Sequence, residues 1–516
     1  VWFSFETQAF RPSNHTFYGV LNNYKITMKQ SWCRLRACGR KGEQQMSTEG
    51  TRDIRPETHY TPPYGWTNDP NGLVYDNGIW HLFAQHYPDA THWGPMHWRH
   101  ATSTDLLCWK DEGIALYPDE KLGFAFSGSA VIDHGNTSGL GTSSSPMVLM
   151  FTHHGDYEQQ SIAVSDDRTH FTLYSGNPVI PNSDKPNFRD PKVFRNDALD
   201  CWSCVIAAGD HYEFYASADL IHWRKTGEFG TKENRLGGIF ECPDLFPLKA
   251  PDGRTVWVLI ASTLLPFTFG GVRMQYFLGD FDGETFRETI PADQPRILDS
   301  GKDNYAAVTF SGTDRRLLMG WAESMVYGPD APTNEFCGLM TYARELSLVN
   351  TDCGIQLAFS PVAPEFDLAE VPSAVKSEAP SLFEPAKTEG TLPGELFHIR
   401  VEAPAAFTLT LSNEDGEAFH ISINNEQSLI VDRSQSGHNK INALYDSGLF
   451  SFMAASRKMH GPVTLDLYFD HMIAEIYTDE GTVVNTSVVF PAKPYTKATL
   501  LGEGKLWIGK PASGCI

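Results

Sequence analysis

Between about residue 58 and residue 350 the chain alternates short apolar and aromatic segments with clusters of Gly, Asp, Asn and Pro. Gly78-Ile-Trp-His-Leu-Phe83, Met147-Val-Leu-Met-Phe151, Thr255-Val-Trp-Val-Leu-Ile260 and Leu317-Leu-Met-Gly-Trp321 have the length of buried strands, not of helices. No amphipathic stretch of helical length stands out, so the region is predicted to be all-β. A repeat punctuates it. Ser103-Thr-Asp105-Leu-Leu-Cys-Trp109, Ser165-Asp-Asp167-Arg-Thr-His-Phe171 and Ser217-Ala-Asp219-Leu-Ile-His-Trp223 share the pattern Ser-x-Asp-x-x-x-aromatic. Gly279-Asp-Phe-Asp-Gly-Glu-Thr-Phe286 is a looser fourth copy. A period of roughly 50–60 residues fits a four-stranded unit with its loops, which predicts a β-propeller of about five blades over residues 46–360. In such a fold, loops from every blade converge on one central funnel.

The pattern changes twice more. Across residues 361–395, Pro361, Pro364, Pro372, Pro380, Pro385 and Pro393 lie among Ala, Glu and Ser, which reads as a linker or a connection along the surface. Beyond it, Phe407, Leu409 and Leu411 alternate with Thr408, Thr410 and Ser412, and Phe419, Ile421 and Ile423 alternate with His420 and Ser422. Such half-buried strands predict a β-sandwich over residues 396–516. Residues 1–45 match nothing that follows. They carry a basic run, Lys29 to Lys41, and no apolar segment of secretory type, while Met46-Ser-Thr-Glu-Gly resembles a translation start. The expectation is an N-terminal extension without a catalytic role.

A length of 516 residues fits two domains better than one core. The formal net charge of −22 argues against a nucleic-acid or anionic-membrane partner and favours a neutral substrate. There is no apolar run long enough to span a membrane. Aromatic content is high at 12%, which suits a β-rich core or a carbohydrate-facing surface. The nine cysteines are scattered and odd in number, a pattern of free thiols in a reducing, cytoplasmic setting. Cys201 and Cys204 form a CxxC without a second pair, read as buried small residues of a strand.

Three acidic motifs carry the candidate chemistry. In Trp66-Thr67-Asn68-Asp69-Pro70-Asn71-Gly72 one carboxylate sits in what reads as a rigid polar turn. Asn68 and Asn71 can bond the turn or a ligand, and Trp66 offers a flat apolar wall on which a sugar could stack. Phe188-Arg189-Asp190-Pro191 again places Asp before Pro, beside an arginine that can orient it. Phe240-Glu241-Cys242-Pro243 embeds a glutamate among apolar neighbours, a setting that raises a carboxyl pKa as a general acid requires. Asp69 in a polar turn would stay ionised, as a nucleophile must. A pair of carboxyls split in this way is the equipment of glycoside hydrolysis.

The three motifs, in this order, resemble glycoside hydrolase family 32, the invertases and fructan hydrolases. Trp93-Gly94, His97-Trp98, Phe126-Ser-Gly-Ser129, Asp303 with Tyr305, Gly320-Trp321 and Arg344-Glu-Leu346 fall in place with them. Asp470-His-Met-Ile-Ala-Glu-Ile-Tyr477 resembles a strand pair of that family's sandwich. The resemblance covers about residues 58–510. It implies a five-bladed propeller followed by a β-sandwich, and a retaining exo-acting β-fructofuranosidase needing neither metal nor cofactor. Its substrates would be sucrose and short fructo-oligosaccharides. By motif, Asp69 would be the nucleophile, Glu241 the acid/base, and Asp190 the holder of the fructose hydroxyls. Trp66, Asn68, Gln85, Trp93, Phe126, Ser127, Arg189, Tyr305 and Trp321 would surround the fructosyl unit. An oligomer through the sandwich is compatible with this reading. Two positions depart from the family pattern: Thr67 stands where many members have Met, and Ala84 where an aromatic is usual. Related fructosyltransferases often carry a small polar residue at the first, so transfer to a sugar is the alternative activity. A sugar-binding propeller without catalysis is the alternative of another class.

Overall fold

The computed structural model describes residues 52–512 apart from 231, 235, 267–270, 373–385 and 439; the extension of residues 1–45 lies outside the described residues. The described residues belong to one compact unit, and their regular secondary structure is nearly all strand. No helix among them is long and apolar enough to cross a membrane.

Five sheets fill the first part of the chain. Each begins with a strand that starts a run of antiparallel hairpins: Gly65–Asp76, Phe124–Ile132, Phe188–Asn196, Ile239–Lys249 and Tyr305–Thr309. These five first strands touch in cyclic order, and Tyr305–Thr309 comes back to Gly65–Asp76. The chain also returns to the first sheet after the second strand of the fifth, because Phe336–Cys337 pairs parallel with Gly65 and Trp66. Apolar clusters fill the wedges between neighbouring sheets. Phe83, Trp98 and Phe151 lie between the first and second, and Phe214, Phe229 and Phe277 between the third and fourth.

The sequence repeat has a local cause. In each of the first four sheets it forms the turn between the third and fourth strands. Asp105 Oδ1 accepts from the N–H groups of Leu107 and Cys108 at 2.9 and 2.8 Å, and Asp167 Oδ1 from those of Thr169 and His170 at 2.9 and 2.8 Å. Asp219 and Asp282 repeat the pattern. The residue after the aspartate takes a positive φ: Leu106 at 69°, Arg168 at 64°, Leu220 at 63°, and Gly283 at 96°. The Asp side chain therefore supplies the acceptor that the turn backbone lacks. Cys201 and Cys204 stand on one strand, where residues three apart face opposite sides, and both are free thiols.

Two six-stranded sheets follow. Phe397, Ile399 and Val401 of one and Leu409, Ile421 and Val431 of the other share a single apolar core. The Pro-rich stretch differs from its reading as a linker. Phe366–Glu370 and Lys387–Thr391, both within residues 361–395, are edge strands, one in each of these sheets. Pro364, Pro372 and Pro393 stand outside both segments, where a missing N–H interrupts neither ladder.

Buried ions join these sheets to the five. Arg344 Nη1 donates to Asp299 at 3.0 Å and Nη2 to Glu475 at 2.9 Å. His59 bonds Asp470 at 2.8 Å and Glu475 at 3.3 Å. Arg433 reaches Asp303, which also accepts from the Val488 N–H at 2.7 Å. Removing one partner of such a pair strands a buried charge at a cost of about 3–5 kcal/mol. The junction therefore holds only as a complete network.

Candidate active site

The five first strands share one irregularity. Each has a β-bulge near its start, where the register with the second strand slips: between Thr67 and Pro70, Ala125 and Gly128, Arg189 and Lys192, Glu241 and Asp244, and Tyr305 and Val308. Non-glycine residues with positive φ mark three of them: Asp190 at 65°, Cys242 at 40° and Ala306 at 53°. A bulge re-aims side chains that regular alternation would send to the blade faces. Here it turns Asp69, Ser127, Asp190 and Cys242 toward one point. Asp69 thus lies inside a strand and not in the turn that its Pro-Asn-Gly context predicts, the bulge absorbing what a turn would otherwise provide.

Asp69 is held by three donors. Ser127 Oγ donates to Oδ2 at 2.5 Å, Asn68 Nδ2 to Oδ1 at 3.0 Å, and Cys242 Sγ to Oδ2 at 3.4 Å. The same thiol lies 3.5 Å from Asp190 Oδ2, and the Cys242 N–H donates to that oxygen at 3.0 Å. The Asp190 N–H is taken by Thr152 Oγ1 at 2.9 Å. Arg189 Nη2 donates to Glu241 Oε1 at 2.7 Å, and Tyr305 OH donates to Glu241 Oε2 at 2.7 Å. Tyr212 OH bonds the Glu241 carbonyl at 3.0 Å.

The electrostatics differ from the sequence expectation. Glu241 does not sit among apolar groups. Its neighbours Phe240 and Cys242 are buried, and its own carboxyl meets Arg189 and Tyr305, which come from other sheets. Asp69 is raised above the ordinary carboxylate value, by burial first and then by the charge of Glu241, against its three donors. Asp190 is pushed up to about 7 by burial, with Glu241 and Asp69 adding to it and Arg189 opposing. Ionising Asp190 beside Glu241 and Asp69 is therefore costly, and a proton on it relieves the crowding of three carboxyls.

That shift has a stability consequence with a definite sign. The folded value lies above the ordinary value of 3.8. The folded protein therefore keeps this proton from about pH 4 to 7 while the unfolded chain gives it up, and stability from this group is lost as pH rises through that window. Asp190→Asn removes the titration and is expected to be ~2–4 kcal/mol more stable than the parent at pH 8. The gap should close at pH 4. Urea unfolding at both pH values checks this, and an equal difference at the two would contradict it.

The other predicted residues divide into three groups. Asn68, Ser127, Arg189 and Tyr305 contact the three carboxyls directly, as described. Phe126 and Trp93 form an aromatic rim: Phe126 stacks on His154 with ring centroids 4.1 Å apart and Trp93, 36% exposed, meets Phe126 at 6.2 Å. Trp66, Trp321 and Gln85 are not open faces. Trp66 is fully buried, edge-on to Trp321 at 5.8 Å, and its Nε1 donates to Asn68 Oδ1 at 2.8 Å. It orients Asn68 and does not supply the stacking wall that its type suggests. Gln85 is buried and donates to the Ala125 carbonyl at 2.9 Å. Thr67 also points away, its hydroxyl donating to the Gln85 carbonyl at 2.8 Å, and Ala84 is buried. Sequence reasoning missed Thr152, Tyr212 and Glu158, the last of which holds Arg189 Nη1 at 2.8 Å. No motif announces them, because each acts across a sheet boundary.

Among the described residues the one grouping with metal-ligand spacing is His211, Glu213 and Glu228. Lys185 and Lys225 already neutralise Glu213, so the grouping does not suit a cation.

Three carboxyls and an arginine meeting at the inner ends of five strands are the equipment of a glycoside hydrolase. Residues 59–361 match the family described as glycosyl hydrolases family 32 N-terminal domain, and residues 376–507 match glycosyl hydrolases family 32 C terminal. The chain belongs to this family and is a glycosidase. It is 37% identical to a levanase of Bacillus subtilis over 85% of this chain and 67% of the relative. It is 32% identical to an extracellular exo-inulinase of Aspergillus ficuum over 87% of this chain and 92% of that one. Among solved structures, the β-fructofuranosidase of Schwanniomyces occidentalis complexed with fructosyl-erythritol superposes with a TM-score of 0.77 at 28% identity, covering 91% of this chain and 99% of the other.

Proposed function

We propose that this chain is a retaining, exo-acting β-fructofuranosidase that releases fructose from sucrose and short fructo-oligosaccharides. The observation that carries the reading is the convergence of Asp69, Asp190 and Glu241 from three sheets, with Cys242 between the first two and Arg189 on the third. In the first step the Asp69 carboxylate attacks the anomeric carbon of the fructosyl unit while Glu241 gives its proton to the glycosidic oxygen, and glucose leaves. In the second step Glu241 takes a proton from water, and the water oxygen displaces Asp69. Asp190 binds fructose hydroxyls, and Arg189 and Tyr305 hold Glu241 in place. Supporting the substrate class are relatives named levanase, exo-inulinase and invertase.

The scaffold we assign is a five-bladed β-propeller followed by a β-sandwich, supported by the cyclic contacts of the five first strands. Exposed Leu444, Leu449 and Phe452 in the second part offer an apolar contact for an oligomer. The six free thiols among the described residues favour a reducing, cytoplasmic setting, against relatives that are extracellular by name; cell fractionation decides between them.

The test is the release of free glucose and free fructose from concentrated sucrose over time, with Asp69→Asn as control. Equal amounts are expected. Glucose in clear excess would mean transfer of fructose to a sugar, and release of neither would mean a binding protein. The position of Thr67, turned away from the three carboxyls, gives transfer no support from the site itself.

A further inference from the structure

Arg189 is shared between two carboxylates. Its Nη2 donates to Glu241 at 2.7 Å, and its Nη1 donates to both oxygens of Glu158 at 2.8 and 3.0 Å. Glu158 opens the third strand of the second sheet, one blade away from Arg189 and two from Glu241. Its other contact is His154 Nδ1 at 3.2 Å. His154 is the same ring that stacks flat on Phe126, 4.1 Å between centroids. Asn187 Oδ1 accepts from Arg189 Nη1 at 3.2 Å, and Asp190 Oδ2 lies 4.0 Å from Arg189 Nε. Tyr305 OH donates to the other Glu241 oxygen at 2.7 Å, and the Asp69 charge also acts on Glu241. A continuous line of contacts therefore runs from the aromatic rim to the acid: Phe126, His154, Glu158, Arg189, Glu241.

We propose that Glu158 is a positioning residue for Glu241, fixing the orientation of Arg189 and neutralising part of its charge. This inference rests on the assignment of Glu241 as acid/base above. Two features of the geometry carry it. First, a guanidinium held by a carboxylate at each end of its fork has one orientation, whereas without Glu158 its Nη1 keeps only the Asn187 amide oxygen and it turns more freely with Glu241. Second, an unshared Arg189 charge would act in full on Glu241 and on Asp190. Burial works against the Arg189 charge, yet Glu241, Glu158 and Asp190 together hold the guanidinium above its ordinary value. Glu158 itself is held low despite its burial, through His154 and Arg189. Its ionised form is the one that His154 and Arg189 favour.

The direction of the effect follows. Glu158→Gln keeps the shape and removes the charge, so the full Arg189 charge would act at the acid/base. The alkaline limb of the kcat/KM profile on sucrose should move down by about one pH unit, with kcat at pH 7 falling roughly tenfold. KM should change less than about twofold, since Glu158 meets the site only through Arg189 and His154. A carboxylate that served only the fold would lower the melting temperature and leave the limb in place. Should Glu158→Gln not fold, Glu158→Asp takes its place. The shorter side chain loosens the Arg189 contact and should move the limb the same way by a smaller amount. A limb that coincides with the parent's in the folded variant overturns the proposal. Glu241→Gln is run beside it: if that variant turns over at the parent rate, the acid/base assignment itself has failed, whereas its loss of activity beside an unshifted Glu158 variant removes the positioning role alone.

Discussion

Asp69→Asn is expected to reduce kcat on sucrose by roughly 10⁴-fold or more, the scale seen when the group forming a covalent intermediate is removed. The side chain is nearly isosteric, so the loss reports chemistry and not packing. Its amide would also turn an N–H toward the Ser127 hydroxyl or the Cys242 thiol, both of which now donate to Asp69. The loss should be equally deep with fructosyl fluoride, whose leaving group needs no proton, because the nucleophile is required for any leaving group. The parent enzyme carries a related signature. Burial and the Glu241 charge raise Asp69, so the acid limb of kcat/KM should lie above the ordinary carboxylate value.

Glu241→Gln should behave differently, with sucrose turnover falling about 10²–10⁴-fold. With fructosyl fluoride the first step needs no acid, so fluoride should appear in a rapid burst of one equivalent per enzyme. The second step lacks its base, so turnover should then stall with fructose attached to Asp69. Stopped-flow fluoride release and intact-protein mass check both statements. Steady turnover without a burst would remove Glu241 from the base role. The contrast between the two variants matters more than either loss, because it assigns one carboxyl to bond formation and the other to proton transfer.

Much of this was legible in the sequence, and the parts that were not have physical reasons. Strand content follows from alternation, as at Phe407, Leu409 and Leu411, whose side chains are buried while their neighbours are half-buried. The Ser-x-Asp repeat is readable because it is local: the aspartate closes its own turn. The triad is readable because bulged segments need distinctive residues, with Pro70, Pro191 and Pro243 following the acids closely. Environment is a different matter. Glu241 looks apolar from Phe240 and Cys242, yet its partners Arg189 and Tyr305 are 52 and 64 residues away. Trp66 looks like a stacking platform, but the strand Phe336–Cys337 pairs beside it and closes it over. The Pro-rich stretch hides two edge strands because its prolines flank them.

The proposed mechanism passes through a covalent fructosyl ester on Asp69, formed and broken with one inversion each. The most direct measurement is the anomeric configuration of the product when sucrose is cleaved in water containing methanol, followed by NMR. Two inversions give methyl β-D-fructofuranoside alone. The α-anomer as the main product would mean a single displacement by the acceptor, and would contradict Asp69 as nucleophile.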